Sequence, residues 1–479
     1  MRMSRAAAVL AAVCLVVFWP ALGNGFVWDD WQLIVENPAL RGLDGTRLWW
    51  MATSFYRSSY QPLGWLAYAL IHAAWGPNPF YFHAAGVALH ILCALLLLAV
   101  SRRLFEHAGS RQPVALAFAA ALLWAVHPLQ VGTAAWSTEI PDQLATVFFL
   151  GALLTYLSGH TGRRLALALV LFALSGLCRW KGIYLPVVLV ALDFYPLKRL
   201  TSTRHDPLGW ANQRVWAEKL AFAVVAVAIL FMNSLAKASS QFEPSVALGK
   251  IARGLLLFPG LLVWPVELLP LYDLSEGLGT VPAVGLLLLG LVGLVAAWRR
   301  LPLLAVAGIS FIGGLLPPLM NVKHGLTLAF PHYAYLSTMG LFIAGAAALD
   351  VLSRRMGLRV AAAVTLVFAL FWGSLSNQLV PLWGDEVRLW TRMVVLKEDS
   401  VLAHGNLGSL LARAGRHNEA YFHFEAAKRL SVGSYRWNQL VQHRNLMTLK
   451  MRVPGLKPDL PLFQLQSARE HLEFGGAGR

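Results

Sequence analysis

Long apolar runs separated by short polar loops dominate the chain. Runs near the roughly 20-residue length that crosses a bilayer fall at 6–22, 81–101, 114–128, 142–158, 164–179, 183–197, 218–236, 281–298, 302–320, 334–350 and 358–376. In lipid a helix satisfies every backbone N–H and C=O within its own segment, so each run is read as a helix. The pattern predicts an all-α, polytopic membrane protein with about eleven spans. The first run closes on Phe18, Trp19 and Pro20, where a signal-peptidase site would need small residues, so it is read as a retained span. Residues 250–271, KIARGLLLFPGLLVWPVELLPL, carry Pro259, Pro265 and Pro270 and are expected to be broken or re-entrant rather than to cross.

Composition fits this class. Of 479 residues, 57% are hydrophobic and 13% charged, against about 25% charged in an ordinary soluble domain. Short cytoplasmic loops carry the excess of Lys and Arg. Provided that 250–271 does not cross, one side collects Arg2, Arg5, Arg102, Arg103, Arg111, Arg163, Arg164, Lys198, Arg199, Arg204, Arg214, Arg299, Arg300, Arg354, Arg355 and Arg359. The N-terminus is then cytoplasmic. Loops at 24–80, 129–141, 179–182, 237–249 and 321–333, and everything after 377, are then extracytoplasmic. Cytoplasmic arginines supply most of the net charge of +16, and no basic stripe interleaved with stacking aromatics calls for nucleic acid. Cys14, Cys93 and Cys178 lie in or at the ends of spans, so no disulfide framework or Cys-based zinc site is indicated. The Ala, Leu, Gly and Arg bias is compatible with a bacterial inner-membrane protein, its C-terminal region periplasmic.

Domain organisation changes near 377. Residues 1–376 read as the transmembrane domain. In 377–434, Leu407, Gly408, Ala420, Phe424 and Ala427 occupy the 7, 8, 20, 24 and 27 offsets of a 34-residue tetratricopeptide repeat, and Trp390 and Met393 occupy the 24 and 27 offsets one register earlier. This helical region reads either as a cap over the extracytoplasmic face or as a docking surface for an acceptor or partner protein. Residues 435–479, with Pro454, Pro458 and Pro461, are expected to form a helical to extended tail.

The chemistry concentrates on the extracytoplasmic side. Asp29 and Asp30 follow the first span directly; adjacent like charges partly desolvated at the interface would push one carboxyl toward working pH, as a general base requires. Capping of a helix beginning near Trp31 is the structural alternative. Glu139 and Asp142 lie on the same side, in a loop without Lys or Arg. Arg179 and Lys181 flank Trp180 at a span end, and His332, Tyr333 and Tyr335 open the tenth run. No metal-ligand spacing such as HExxH occurs, and His83, His90 and His127 are read as helix-packing polar residues. The amphipathic stretch TRLWWMATSFY predicts a helix lying at the membrane surface with Trp49 and Trp50, and Trp65 is expected there too.

FVWDD, ENPALRGL, YQPLGWLAYALIHAAWG, HPLQVGTAAWSTEIPDQLATVFFLGALLTYL, LPVVLVALDFYPLKR, LVWPVELL and PHYAYLSTMGLFI, in this order and followed by a tetratricopeptide-like segment, resemble the transmembrane and tetratricopeptide-repeat-containing (TMTC) O-mannosyltransferases and their bacterial relatives. Those enzymes belong to the GT-C superfamily, and the resemblance covers about residues 10–430. It implies a GT-C arrangement of helices and inverting transfer of a sugar from a polyprenyl-phosphate donor to a hydroxyl on the extracytoplasmic side. A first-loop carboxylate would take the acceptor proton. Asp30 is preferred for that role, with Asp29 anchoring the loop or accepting from the sugar. A divalent metal is compatible with the resemblance.

The chain departs from the family pattern at two places. Ile140 and Pro141 stand between the acids Glu139 and Asp142 where the family has two basic residues, and Pro331 and His332 replace an acid and an arginine. Contacts to the donor phosphate are therefore expected from Arg179, Lys181, His332 and Tyr333, with Tyr335 an aromatic-belt residue. Two other readings stay open. A lipid-linked-sugar transporter would show intramembrane charges and inverted repeats, whereas the span interiors are nearly charge-free. A catalytically inactive GT-C scaffold is compatible with the substitutions at 140–141 and 331–332.

Overall fold

In a computed structural model the described residues are 2–431 except 202–205, 207, 209, 237–243, 276–277 and 321–326, together with 441, 445–449 and 453. Arg204, parts of the expected loops at 237–249 and 321–333, and most of the expected tail at 435–479 lie outside them.

The described chain is almost entirely helical. Its longer helices are α1 Met3–Phe18, α2 Gly45–Thr53, α3 Pro62–Trp75, α4 Pro79–His107, α5 Pro113–Ala125, α6 Ile140–Leu157, α7 Gly162–Cys178, α8 Leu185–Phe194, α9 Gln213–Ala236, α10 Pro244–Val263, α11 Thr280–Arg300, α12 Pro302–Leu319, α13 Met339–Met356, α14 Leu358–Leu379, α15 Glu386–Leu396, α16 Val401–Arg413 and α17 His417–Leu430. Pro62, Pro79, Pro113 and Pro302 each open a helix, where the missing N–H would have had no partner and the fixed φ suits the first turn. Two short strands, Tyr272–Asp273 and Leu328–Ala329, pair antiparallel with Tyr272 opposite Ala329 and Asp273 opposite Leu328. The bundle is built around α4, which packs against α1, α5 and α6, while α13 packs on α5 and α12.

Several helix faces on its outside are apolar. Leu289, Val292 and Val295 of α11 are 67–74% exposed, and Leu366, Val367 and Leu370 of α14 are 57–65% exposed. Such continuous greasy faces are sustainable only against lipid or protein, so the chain is a multi-pass integral membrane protein. Among the described residues eight helices are long and apolar enough to cross, or ten when the two pairs bent by 60°, Pro113–Ala125 with Pro128–Ala134 and Pro331–Ser337 with Met339–Met356, are each counted as one; the sequence pattern predicts about eleven.

The differences have physical causes. The run at 183–197 yields only the ten-residue α8, about 15 Å long at 1.5 Å per residue. Pro186 opens it and Pro196 disfavours helix at the residue before. Conversely, the stretch expected to be broken, 250–271, is helical through Val263 with Pro259 inside the helix, and Val246–Val263 is long enough to span. One lost N–H and some crowding are tolerated there, and Pro265 and Pro270 fall beyond the helix end.

After α14 the chain turns through Val380–Gly384 into α15, α16 and α17. Leu407, Ala420, Phe424, Ala427, Trp390 and Met393 are all buried. A Cβ at Gly408 would lie 2.8 Å from the Phe424 ring, so the glycine is what lets α16 and α17 close.

Candidate active site

Four segments meet at a cleft of about 360 Å³, within the roughly 300–1,000 Å³ usual for ligand pockets. The first loop contributes Trp28, Asp29, Gln32, Tyr56, Arg57, Ser59 and Gln61; the start of α6 and the turn before it contribute Trp136, Thr138 and Glu139; the α7–α8 turn contributes Arg179, Trp180 and Lys181; and the turn before α13 contributes Phe330, His332 and Tyr333. All the sequence-predicted site residues except Asp30 and Asp142 line it directly.

The two adjacent aspartates separate. Asp29 is part of the cleft wall. Asp30 is fully buried behind it: its Oδ1 accepts from the Thr138 hydroxyl at 2.7 Å and its Oδ2 from the Val27 N–H at 3.0 Å. Burial pushes the Asp30 carboxyl up to about 7, against the lowering effect of the Thr138 and Val27 hydrogen bonds. Asp30 therefore ties the first loop to the start of α6, and it makes no side-chain cap on the turn Trp31–Val35 that follows it. Of the two adjacent aspartates, Asp29 is the one that lines the cleft.

A charge network forms the opposite wall. Arg179 Nε donates to Asp142 Oδ2 at 2.7 Å, and Lys181 Nζ lies 2.7 Å from Asp142 Oδ1 and 3.7 Å from Glu139 Oε2. Arg179 Nη1 donates to Gln61 Oε1, and to Ser59 Oγ at 3.3 Å. Lys181 also stands 5.6 Å from the centre of the Tyr333 ring, and His332 Nδ1 lies 3.9 Å from Glu139 Oε1. These side chains are 3–19% exposed. Ion pairs this dry hold their geometry where surface pairs would not. Glu139 and Asp142 thus aim the two cations at the cleft from a neighbouring loop, although Ile140 and Pro141 carry no charge themselves.

Arg57 is a cleft cation that sequence reasoning missed. It is exposed, takes a left-handed φ of 55°, and makes no ion pair among the described residues. Nothing in its flanking sequence, FYRSSY, marks it, because its place in the cleft wall depends on how the first loop folds. The indole Nε1 of Trp65, which also lines the cleft, is buried without a hydrogen-bond partner.

Trp65 was expected at the membrane surface and is instead fully buried, against Trp50, Tyr56 and Tyr68; Trp49 alone of that set is 71% exposed. Tyr335, expected in the aromatic belt, is buried at 2% exposure with its hydroxyl 2.9 Å from His90 Nδ1. Both residues have ring faces large enough to fill the bundle interior and a polar atom to place. His83 Nε2 contacts the Gly25 carbonyl at 3.1 Å, and His127 Nε2 contacts the Leu262 carbonyl at 3.0 Å. Among the described residues no group of three or more His, Cys, Asp or Glu is arranged to hold a metal ion.

No family profile matches the chain. Protein O-mannosyl-transferase TMTC1 of Mus musculus is 38% identical over 163 residues, 32% of this chain and 16% of that protein. Protein O-mannosyl-transferase Tmtc3 of Drosophila melanogaster is 23% identical over 510 aligned positions, 88% of this chain and 55% of that protein. Among solved structures, ArnT from Cupriavidus metallidurans bound to undecaprenyl phosphate aligns with 95% of this chain and 81% of its own, at 15% identity and a TM-score of 0.36. The matches span from about a sixth to just over half the length of these curated relatives. By sequence, the chain is similar to the TMTC protein O-mannosyl-transferases.

Proposed function

We propose that the chain is a membrane-embedded glycosyltransferase that moves a sugar from a polyprenyl-phosphate donor to a hydroxyl acceptor, with inversion at the anomeric carbon and Asp29 as the base. One observation carries this reading: Asp29, on the first-loop wall, shares a cleft with three cations, Arg57, Arg179 and Lys181, while the other lining carboxylate, Glu139, stands with Lys181 on the opposite wall. That is the set a phosphate leaving group requires, because the departing charge needs neutralising more than it needs a proton.

In the proposed step Asp29 accepts the acceptor O–H proton as that oxygen bonds to the anomeric carbon. The bond from that carbon to the phosphate oxygen breaks on the opposite face, and the electron pair leaves with the lipid phosphate. Arg57, with no carboxylate partner among the described residues, meets the phosphate with most of its charge available. Arg179 and Lys181, shared with Asp142 and Glu139, are already oriented and need no reorganisation. Tyr333 and His332 border the same space as further hydrogen-bonding groups. Asp30 anchors the loop. In this reading residues 1–376 form the catalytic unit, 377–434 a tetratricopeptide-like region, and the cleft faces the extracytoplasmic side, with the N-terminus inside a bacterial inner membrane.

The test is transfer by the purified chain in lipid from radiolabelled polyprenyl-phosphate sugars to serine or threonine peptides and to glycolipids. Label in an acceptor supports the reading. Donor binding without transfer to any acceptor class favours the scaffold alternative.

A further inference from the structure

The cleft's first loop is held from the C-terminal side of the chain as well as from α6. Asn24 Nδ2 donates to the Val380 carbonyl at 3.0 Å, and the Gly25 N–H donates to the Gly384 carbonyl at 3.3 Å. A Cβ at Gly384 would stand 2.5 Å from Asn24 Oδ1, so the two strands of chain touch closely. The Trp28 N–H donates to the Glu386 carboxylate at the first position of α15. The Trp28 ring is edge-on to Trp390 at 4.9 Å and stacks on Trp136 at 5.2 Å; Trp136 in turn stacks on Trp383 at 5.0 Å.

Trp28 itself has φ 55°. A bulky non-glycine residue rarely enters that region and remains there only where surrounding contacts over-determine it. It directly precedes Asp29, so its backbone angle sets the direction in which the Asp29 side chain leaves the chain.

We infer that Glu386 is a positioning residue: by holding the Trp28 N–H, with Trp390 against the ring, the start of α15 fixes the left-handed turn that aims Asp29 into the cleft. The C-terminal helices on this account brace the catalytic unit from outside it, and a protein docked on them would act on turnover through Trp28. The inference rests on Asp29 being the base.

The experiment compares Glu386→Ala with Glu386→Gln in the full-length chain, reading transfer kinetics and backbone hydrogen exchange of residues 24–30. The alanine variant should lower kcat roughly tenfold or more, since small misplacements of a reacting group are costly, with the donor KM within about twofold. Exchange at 24–30 should accelerate. Glutamine, which keeps an acceptor oxygen, should recover most of both effects. Wild-type kcat and unchanged exchange in Glu386→Ala would overturn the inference. So would lower yield and melting temperature with normal kcat in the folded fraction, the mark of a merely structural contact. Full activity in Asp29→Asn would instead defeat the base assignment, while the exchange data would still read the clamp.

Discussion

Asp30→Asn gives the sharpest test of the buried anchor. Asp30 is 0% exposed, and burial pushes its carboxyl from 3.8 to about 7. An acid raised in the folded state binds protons more tightly there than when unfolded, so stability is fullest below the unfolded value and is lost as pH rises through the folded one. At about 1.4 kcal/mol per pH unit, the rise from pH 5 to pH 8 should remove about 3 kcal/mol. Asparagine abolishes this titration. Its oxygen still accepts from Thr138, and the lost bond to the Val27 N–H costs about 1 kcal/mol at every pH, which offsets the curve without changing its slope. Thermal unfolding in lipid nanodiscs at pH 5 and pH 8 should therefore show the wild type losing about 3 kcal/mol more than Asp30→Asn. Thr138→Val, which removes a donor to the charged form, should extend the loss to higher pH. Parallel pH curves for wild type and Asp30→Asn would refute the argument.

Arg57→Gln should raise the donor KM by about tenfold or more, the size of one charge-assisted hydrogen bond, and leave the melting temperature unchanged because Arg57 is exposed and makes no ion pair among the described residues; an unaltered KM would remove it from the phosphate site. Asp142→Asn leaves Arg179 and Lys181, 14% and 19% exposed, without their shared carboxylate. It should cost about 3 kcal/mol of stability as well as donor affinity, and an unchanged melt would show that the network is not structural.

How far the sequence goes depends on how local each feature is. Apolar runs of span length announce the bundle because lipid imposes the same requirement on every crossing segment. Pro186 and Pro196, which cut one run to ten residues, and Pro259, which a helix absorbs, show where composition alone misjudges a boundary. The acids and cations of the cleft are visible as charges at helix ends on one side. Their pairing is not, since Asp142 meets Arg179 and Lys181 only when α6 and the α7–α8 turn pack together. Which of two adjacent aspartates lines the cleft goes with the backbone turn at Trp28, whose N–H is held by a residue more than 350 positions away. No periodicity encodes such a contact. Arg57 escaped notice for the same reason, and Trp65 and Tyr335 were misplaced because an aromatic near a span end looks identical in sequence whether it faces headgroups or fills the core.

The central claim is that the cleft performs glycosyl transfer with Asp29 as base, and the most direct measurement is single-turnover transfer from a radiolabelled polyprenyl-phosphate sugar by wild type and Asp29→Asn, with donor binding measured alongside. The account expects transfer by the wild type and a loss of at least about a hundredfold in the variant, with donor affinity retained. Wild-type rates in Asp29→Asn would contradict it.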